Sequence, residues 1–462
     1  MMRYLPAMLL AAALPLSAAA DVEKLLADTY DLADGALAVV KCTYASETGE
    51  QEVAGLAVCY DAENGELLTL ALGGQMNPAG IRDLRLELPG PEHRTIPAEL
   101  LGIRPEVGLG FVKASAPHAW QAVRFAGSSD LAIGQAVASA ALMPGDAANT
   151  PQVGLAYVAA LRRIPERVYM VTGGGLTGVG SPVFAADGRA VGLVTRSIFL
   201  DYQMATQQGT GNVALAGLQE SVAFLPAEEF AFALQDIPRG GTVRRPRWLG
   251  VLRVSPVAPD QAQAMGLAGP GAEIDGIVPD SAAEQAGLTG GDVIVALNGQ
   301  PLERLATGEL SVRNMMRLLN RIEGDSVDLT LRRGEETLDV TLPLEEMPTL
   351  PEEAPRYVSR ELGMLLRERV RLDRYIGETP AADTQGMQVL AVGPESPAAA
   401  AGLAAGDIVT SVDGQPVQSA VVLRQIVETH LAERPGEAIL LLVRRGGQEP
   451  QAISITPPLA QQ

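Results

Sequence analysis

The chain has 462 residues, of which 47% are hydrophobic and 19% are charged. This length exceeds what one hydrophobic core can organise, so we expect roughly two to four domains, and the composition is that of a globular protein rather than a disordered one. The formal net charge of −20 argues against nucleic acid as a partner, because phosphate binding needs clustered Lys and Arg side chains.

The first 20 residues have the pattern of a secretory signal peptide. Arg3 supplies the positive start, residues 5–16 form an apolar run, and residues 18–20 are alanines suited to cleavage. The alternative is an uncleaved membrane anchor, but the run is shorter than the ~20 apolar residues that a spanning helix needs. We therefore expect a mature chain that begins near Asp21, is periplasmic or secreted, and has no membrane span.

Cys42 and Cys59 are the only cysteines of the chain. They lie in two strand-like runs, residues 36–43 and 53–60, on either side of a polar turn. If these runs form a hairpin centred near residues 50–51, Cys42 faces Cys59, and an oxidising compartment would keep the pair as a disulfide. The alternative, two buried free thiols, stays open at this point.

Up to about residue 235, short apolar runs alternate with Gly and Pro turn residues. This pattern is typical of an all-β sandwich or a pair of barrels. A helix is predicted near the end of this region, at residues 227–234. The predicted strands include residues 67–72, 84–88, 107–113, 136–142, 152–161 and 167–171.

The second half of the chain contains two copies of one unit. Gly287 recurs as Gly402 and Gly299 recurs as Gly414, at the same offset. In each copy an Ala-rich helical turn ends at a glycine, and a later apolar strand runs into Asn-Gly or Asp-Gly, a strong hairpin signal. Helices are predicted at residues 312–322 and 421–431.

These patterns divide the chain into domains joined by two linkers, one rich in Pro and Gly and one rich in Pro and Glu. The segments are a signal peptide (1–20), an N-terminal domain (21–235), a linker (236–247), a first unit (248–343), a linker (344–356) and a second unit (357–458).

The first unit contains a set of characteristic segments, which are Trp248-Leu249-Gly250-Val251, Val278-Pro279-Asp280-Ser281, Ala286-Gly287-Leu288, Gly291-Asp292-Val293-Ile294 and Asn298-Gly299-Gln300-Pro301. Together these segments resemble those of PDZ domains in the HtrA/Deg family. A PDZ domain adds a peptide carboxyl terminus to a sheet edge as an extra strand, and backbone amides of a loop hold the carboxylate. The resemblance implies a mainly β protein, with a trypsin-like double β-barrel followed by two α+β PDZ domains.

The resemblance also implies the peptide-binding residues. In the first unit the carboxylate-binding loop would be Trp248, Leu249, Gly250 and Val251. One wall of the groove would be formed by Val312, Met315, Met316 and Leu319, which recur at helical spacing. The alternative is that these four are core residues. In the second unit the loop position holds Leu362, Gly363 and Met364 after Glu361, whose negative charge opposes a carboxylate, so assembly or regulation is the alternative role there.

The N-terminal domain resembles the trypsin-like domain of the same family. Its chemistry needs a Ser nucleophile, a His base and an Asp that orients the His. The positions that match this triad hold Leu72 or Gly73, Gly108, and Val179. We therefore expect a chain that is not an enzyme, an inactive homologue of a serine endopeptidase.

A rearranged catalytic site is the alternative to this expectation. Ser181 lies two residues beyond the matched nucleophile position and is the remaining candidate nucleophile. The three histidines, His93, His118 and His430, fall in a polar turn, a loop and the second-unit helix, where surface or capping roles are more usual. They are too scattered to form a metal set, so we expect no metal and no cofactor.

The sequence thus predicts an exported pseudoprotease that binds peptide carboxyl termini or unfolded segments, as an adaptor, chaperone or regulator in protein quality control. The alternative is an active serine endopeptidase with a rearranged site. A third hypothesis is structural, with the N-terminal domain completing an oligomer. The family commonly forms trimers through this domain, so the resemblance implies a homo- or hetero-trimer with HtrA-like proteins.

Overall fold

A computed structural model describes residues 16–46, 49–73, 76–92, 94–143, 148–195, 201–206, 209–214, 223–375, 385–446 and 448–458. Most of the predicted signal peptide therefore lies outside the described residues. The first described element is a helix, α1 (Leu16–Ala36), and the predicted mature start at Asp21 falls inside it. No helix in the described ranges combines the length and apolarity that crossing a bilayer requires.

The N-terminal domain contains two closed antiparallel barrels of six strands each, as the pattern of short strands predicts. In the first barrel the order is β5-β4-β1-β2-β3-β6, and pairing of β5 with β6 closes it. Its strands are β1 (Leu37–Ser46), β2 (Gly49–Asp61), β3 (Glu66–Thr69), β4 (Ile81–Glu87), β5 (Thr95–Arg104) and β6 (Leu109–Ala114).

The second barrel has the order β10-β11-β14-β9-β8-β7 and closes through β7 and β10. Two further strands, β12 (Asp201–Thr206) and β13 (Gly209–Ala214), form a separate hairpin. The barrel strands are β7 (Ala136–Met143), β8 (Thr150–Arg163), β9 (Arg167–Gly175), β10 (Pro182–Ala185), β11 (Ala190–Thr195) and β14 (Ala223–Pro226).

An apolar core joins the two barrels to α1. Leu25 of α1, Phe111 of the first barrel, Phe184 of the second and Phe230 belong to one buried cluster. Each buried Leu or Phe side chain stabilises the fold by roughly 1.5–3 kcal/mol. The predicted helix at residues 227–234 is instead two short 3₁₀ helices, Ala227–Glu229 and Ala231–Leu234. Phe230, whose φ of −137° and ψ of −16° are not helical, separates them, and its ring is buried in this core.

The cysteines are buried free thiols, so the predicted cross-strand disulfide is wrong. In the β1–β2 pairing Ser46 lies opposite Gly49, and this register places Cys42 opposite Val53 rather than Cys59. Both thiols lie in the apolar interior of the first barrel. Burial raises the pKa of both, that of Cys59 to about 12, so neither is a reactive thiolate near neutral pH.

The first unit packs a sheet of order β17-β18-β19-β21-β22 against one long helix. A short parallel strand, β15 (Thr242–Val243), ties the linker before it to β5 of the first barrel. Its elements are β16 (Arg247–Trp248), β17 (Val251–Pro256), α2 (Pro259–Ala264), β18 (Ala272–Ile277), α3 (Ala282–Gln285), β19 (Val293–Leu297), β20 (Gln300–Pro301), α4 (Gly308–Leu319), β21 (Ser326–Arg333), β22 (Glu336–Pro343) and β23 (Glu345–Glu346).

The second unit repeats this arrangement with one strand added, in the order β24-β25-β26-β27-β29-β30. The added strand, β24, pairs with the strand that corresponds to β17. Its elements are β24 (Arg356–Ser359), β25 (Met364–Glu368), β26 (Met387–Val392), α5 (Pro397–Ala400), β27 (Ile408–Val412), β28 (Gln415–Pro416), α6 (Ala420–Glu433), β29 (Ile439–Arg444) and β30 (Gln451–Ile455).

An ion pair between a buried aspartate and an exposed arginine recurs at the same place in both units. Arg333 donates two hydrogen bonds of 2.7 Å to the carboxylate of Asp292, and Arg445 does the same to Asp407. Burial alone would raise the pKa of Asp292, but the hydrogen bonds from Arg333 and from the Thr289 amide outweigh it and lower the pKa. The two copies thus share their core geometry, and the Arg-Arg-Gly segments of the repeat have a structural reason.

Candidate functional site

The loop between β16 and β17 of the first unit leaves two backbone amides unpaired. Gly250 has a φ of +83°, and its carbonyl oxygen accepts hydrogen bonds from the Val278 amide at 3.0 Å and the Ser281 hydroxyl at 2.9 Å. Within the described ranges, the amide nitrogens of Leu249 and Gly250 have no hydrogen-bond acceptor. Unpaired consecutive N–H groups form a concave site for an anion such as a carboxylate.

Only glycine fits at the centre of this loop. A Cβ added at Gly250 would lie 2.7 Å from the Cβ of Ser281, closer than real Cβ contacts come. The positive φ adds a backbone penalty for any other residue. The loop is therefore held in the conformation that leaves the two amides free.

Next to this loop, β17 forms an edge of the first-unit sheet. Among the described strands it pairs with β18, and α4 runs along its other side. Since the Gly250 carbonyl binds the Val278 amide of the β18 side, the amide and carbonyl of Val251 point the opposite way, toward α4. That carbonyl accepts a hydrogen bond of 2.9 Å from the indole of Trp248. An extended peptide can add to such an edge strand.

The helix residues predicted for the groove wall have two different locations. Val312, Met315 and Leu319 are buried in the core of the first unit, as the alternative interpretation of their spacing has it. Met316 is half-buried and lines a cavity of about 710 Å³ between α4 and the N-terminal domain. The assignment of Met316 to the peptide groove is therefore corrected: it lies at the contact between the first unit and the barrels.

Ion pairs fix α4 against the N-terminal domain at this contact. Glu229, whose side chain is 5% exposed, accepts hydrogen bonds from Arg317 at 2.7 Å and Arg321 at 2.8 Å. The guanidinium of Arg321 also lies over the ring of Phe232, 4.8 Å from its centroid. Sequence reasoning missed this contact, because its partners are far apart in the chain and have no local motif.

In the second unit the corresponding loop amides are already paired. The amide of Leu362 donates to the Ser359 hydroxyl at 3.2 Å, and the amide of Gly363 donates to the Ser359 carbonyl at 2.9 Å. Leu362 and Met364 are buried in the core of the unit. The predicted peptide-binding residues Leu362, Gly363 and Met364 thus contact Ser359 of their own chain.

Two of the matched triad positions, Gly73 and Gly108, lie together in the first barrel, and neither carries an acid–base group. A Cβ on Gly73 would lie 1.8 Å from the carbonyl oxygen of Gly108, so these two backbones are in direct contact. Leu72 is buried with 1% exposure and packs on Gly110. Val179, at the matched nucleophile position, is 46% exposed in the turn before β10.

Ser181, the alternative nucleophile, is fully buried. Its hydroxyl has no hydrogen-bond partner in the described part of the chain. His93 lies outside the described residues. His118 stacks edge-on against Trp120, and burial, with a contribution from Arg94, lowers its pKa.

The third histidine is used within the second unit. The Nδ1 atom of His430 lies 2.5 Å from the Asp413 carboxylate, and its Nε2 atom lies 3.1 Å from the Glu437 carbonyl. Among the described ranges, no group of three or more His, Cys, Asp or Glu side chains is arranged to hold a metal ion.

Comparison with known proteins assigns the domains. Residues 30–193 match the family model of the trypsin-like peptidase domain, and residues 273–333 and 388–445 match the model of the PDZ domain. The chain thus consists of a trypsin-like peptidase domain followed by two PDZ domains. It belongs to the HtrA family.

The curated relatives carry one name, "Probable periplasmic serine endoprotease DegP-like". The protein of Rhizobium meliloti (strain 1021) is 29% identical over 284 residues, covering 60% of this chain and 51% of that protein. The Halomonas elongata protein is 27% identical, with 72% and 66% covered. The Chlamydia trachomatis protein is 34% identical, with 38% and 33% covered. The chain therefore matches from one third to two thirds of the length of these relatives.

Solved structures of the HtrA-type protease AlgW share the fold. AlgW with a tripeptide is 21% identical with a TM-score of 0.51, covering 70% of this chain and 98% of that one. AlgW with a decapeptide is 19% identical, also with a TM-score of 0.51, covering 70% and 99%.

These comparisons contradict the prediction that the chain is not an enzyme. The curated relatives are named serine endoproteases, and AlgW is named a protease. The expectation of inactivity rested on three matched positions, Leu72 or Gly73, Gly108 and Val179, and on no property of the chain as a whole.

Proposed function

We propose that this HtrA-family chain binds free carboxyl termini of polypeptides in the periplasm, and that the first unit is the binding site. The observation that carries this proposal is the pair of unpaired amides at Leu249 and Gly250 beside the edge strand β17. A carboxylate accepts hydrogen bonds from such amides, and the edge strand pairs with the backbone that precedes it. The two AlgW structures contain short peptides, which agrees with a peptide as the ligand.

The cellular setting follows from the relatives. Their names place them in the periplasm, and the signal-like sequence of residues 1–20 agrees with export. Unfolded or truncated proteins expose chain ends there, so the function falls within protein quality control. Assembly as a homo- or hetero-trimer with HtrA-like proteins is part of the proposal, and light scattering of the purified chain tests it.

The direct test compares two peptides that differ at one group. A fluorescently labelled decapeptide with a free carboxyl terminus and its C-terminally amidated twin are titrated with the mature chain, and anisotropy is recorded. We expect the free acid to bind at least roughly tenfold more tightly, since hydrogen bonds to a charged group contribute about 1.5–3 kcal/mol. Equal affinities would show that the carboxylate is not recognised.

Peptide-bond hydrolysis is the second candidate activity, which the names of the curated relatives favour. The matched triad positions hold Leu72, Gly108 and Val179, so hydrolysis here would use a rearranged site. Ser181 is the serine nearest to the matched nucleophile position, and because its side chain is fully buried, reaction there requires the turn at residues 178–181 to open.

Digestion of an unfolded protein by the parent chain and by Ser181→Ala tests this second activity. Cleavage by the parent and not by the variant would assign the nucleophile to Ser181. Equal cleavage by both would place it elsewhere in the chain or in a contaminant. Digestion by neither would leave peptide binding as the activity to pursue.

A further inference from the structure

The second unit carries a strand where a bound peptide would lie. β24 pairs antiparallel with β25, with Ser359 opposite Met364 and Tyr357 opposite Leu366. β24 also lies against α6, on the same side of the sheet as the groove of the first unit. Its direction is that of a peptide whose carboxyl end reaches the loop before β25. Strand β24 therefore occupies the position of a ligand, in the orientation of a ligand.

The end of this strand uses the loop amides that would hold a carboxylate. The Ser359 carbonyl accepts from the Gly363 amide at 2.9 Å, and the Ser359 hydroxyl accepts from the Leu362 amide at 3.2 Å. The equivalent amides of the first unit, on Leu249 and Gly250, have no acceptor in the described part of the chain. Ser359 thus takes the place of the last residue of a bound peptide. Its carbonyl and hydroxyl oxygens stand where the two oxygens of a terminal carboxylate would lie.

The side chains of β24 alternate as those of a groove-bound peptide do. Ser359 and Tyr357 are 7% and 3% exposed, whereas Val358 between them is 38% exposed. The Tyr357 ring belongs to the core of the second unit, and the Arg424 guanidinium of α6 lies 5.9 Å from its centroid. Every second residue therefore fills the groove, which is the pattern that strand addition requires.

We propose that Arg356–Ser359 is a built-in ligand of the second unit, which closes that groove to free peptides in the resting chain. This inference rests on the proposed function in treating both loops as carboxylate sites. The ligand class that the second groove takes in place of β24 is a free carboxyl terminus with an aromatic residue two positions before its end. A cavity of about 780 Å³ remains beside β24, toward Leu431 and Pro435, and leaves room for a final side chain larger than serine.

The probe is a synthetic decapeptide with the sequence of residues 350–359 and a free carboxyl terminus. All measurements use the mature chain with Gly250→Val, which blocks the first unit, so that binding reports on the second unit. Tyr357→Ala removes the side chain that anchors β24. Leu440→Ala, an exposed change on β29, which two strands separate from β25, is the matched control.

We expect the Gly250→Val background and its Leu440→Ala derivative to bind the probe weakly or not at all. The Tyr357→Ala derivative should bind one equivalent at least roughly tenfold more tightly, because the groove is then open in a larger fraction of molecules. Arg424→Ala, an exposed change that loosens Tyr357 without altering the core, should give a smaller gain of about twofold to fivefold.

Two results would overturn the built-in ligand. The first is tight binding by the Gly250→Val background itself, which would mean that β24 does not close the groove. The second is no gain in either the Tyr357→Ala or the Arg424→Ala derivative. Failure of the proposed function looks different, because the parent chain would then not bind the free-acid peptide at the first unit, whatever the second unit does.

Discussion

The two PDZ units have the same Leu-Gly loop, but only the second unit has its groove filled by a segment of its own chain. Each has a Leu-Gly pair after β16 or β24, a capped short helix and a buried aspartate that pairs with an exposed arginine. In the first unit the loop amides have no acceptor among the described residues, and β17 is an edge of the described sheet. In the second unit Ser359 binds the amides and β24 covers β25. Loop sequence alone therefore does not decide whether a groove is open.

The segment before each loop makes the difference. Before the first unit, Thr242–Val243 pairs with β5 of the barrel, and Arg247–Trp248 pairs with Glu345–Glu346. The chain there is held away from the groove. Before the second unit, Arg356–Ser359 pairs with β25 of the unit itself. The upstream chain thus pairs with strands away from the groove in the first unit and with the groove edge in the second.

The largest effect that we expect is from Gly250→Val. The new side chain meets Ser281, and valine is strained at a φ of +83°, so binding of a free-acid peptide should fall by roughly a hundredfold. Gly324→Ala, in an open position of the same unit, is the control and should bind like the parent. Unchanged binding by a folded Gly250→Val chain would place the peptide site outside the first unit.

Removal of the shared ion pair tests what the two units have in common. Asp292→Ala removes the carboxylate that accepts from the Thr289 amide and from Arg333, and should cost the first unit about 1.5–3 kcal/mol of unfolding free energy. Asp407→Ala should cost the second unit a similar amount. Glu335→Ala, an exposed change on the β21–β22 turn, is the control. Denaturant unfolding that is insensitive to both aspartate changes would contradict the role of the pair.

The Asp292–Arg333 pair also makes the stability of the first unit depend on pH, in a direction that the pKa shift of Asp292 fixes. Because the folded-state pKa of Asp292 is lowered, its contribution to stability is present above the unfolded-state pKa of about 3.9 and is lost as pH falls through the lower folded-state value. The parent should therefore lose more thermal stability than Asp292→Ala between neutral pH and pH 3. Parallel pH profiles for the two chains would show that the pKa is not depressed.

A smaller effect is expected at the contact between α4 and the barrels. Glu229→Gln removes the charge that pairs with Arg317 and Arg321, and should weaken docking of the first unit by about 2 kcal/mol. Faster hydrogen exchange at α4 and a larger radius of gyration in solution scattering would report this change. Glu323→Gln, an exposed residue near the same helix, is the control, and an equal effect there would show that the ion pairs are not what holds the contact.

The smallest effect concerns the indole of Trp248. Trp248→Phe keeps an aromatic ring but frees the Val251 carbonyl, which then becomes fully available to a peptide amide. Peptide affinity at the first unit should rise about threefold, because the gain in binding free energy is that of part of one hydrogen bond. Calorimetric titration measures it, and weaker binding would mean that the ring itself touches the ligand.

Much of the architecture is predictable from the sequence, because repeats and turn residues are local signals. The two units follow from the recurrence of Gly287 as Gly402, and short strands predict the barrels. The register of the β1–β2 hairpin has no such local signal. The sequence placed the centre of the hairpin a few residues too late, and this error produced the false disulfide between Cys42 and Cys59. The break of the predicted helix at Phe230 depends on a core formed by distant strands.

The candidate site is less predictable, for the same reason. The motif Trp248-Leu249-Gly250-Val251 locates the open loop. The filling of the second groove by β24, however, depends on strand pairing, which the Leu-Gly motif does not reveal. One signal was available: Tyr357 and Ser359 alternate with Val358 just before the second loop, as the side chains of a strand do. The docking pairs of Glu229 have no signal of this kind.

Hydrogen–deuterium exchange of the unmodified chain tests the central comparison most directly. The amides of Leu249 and Gly250 should exchange rapidly, whereas those of Leu362 and Gly363 should be slower by roughly tenfold or more, since Ser359 binds them. A free-acid peptide in excess should then slow the first pair and leave the second pair unchanged. Equally fast exchange at the two loops, or protection of Leu362 and Gly363 only when peptide is added, would contradict the account.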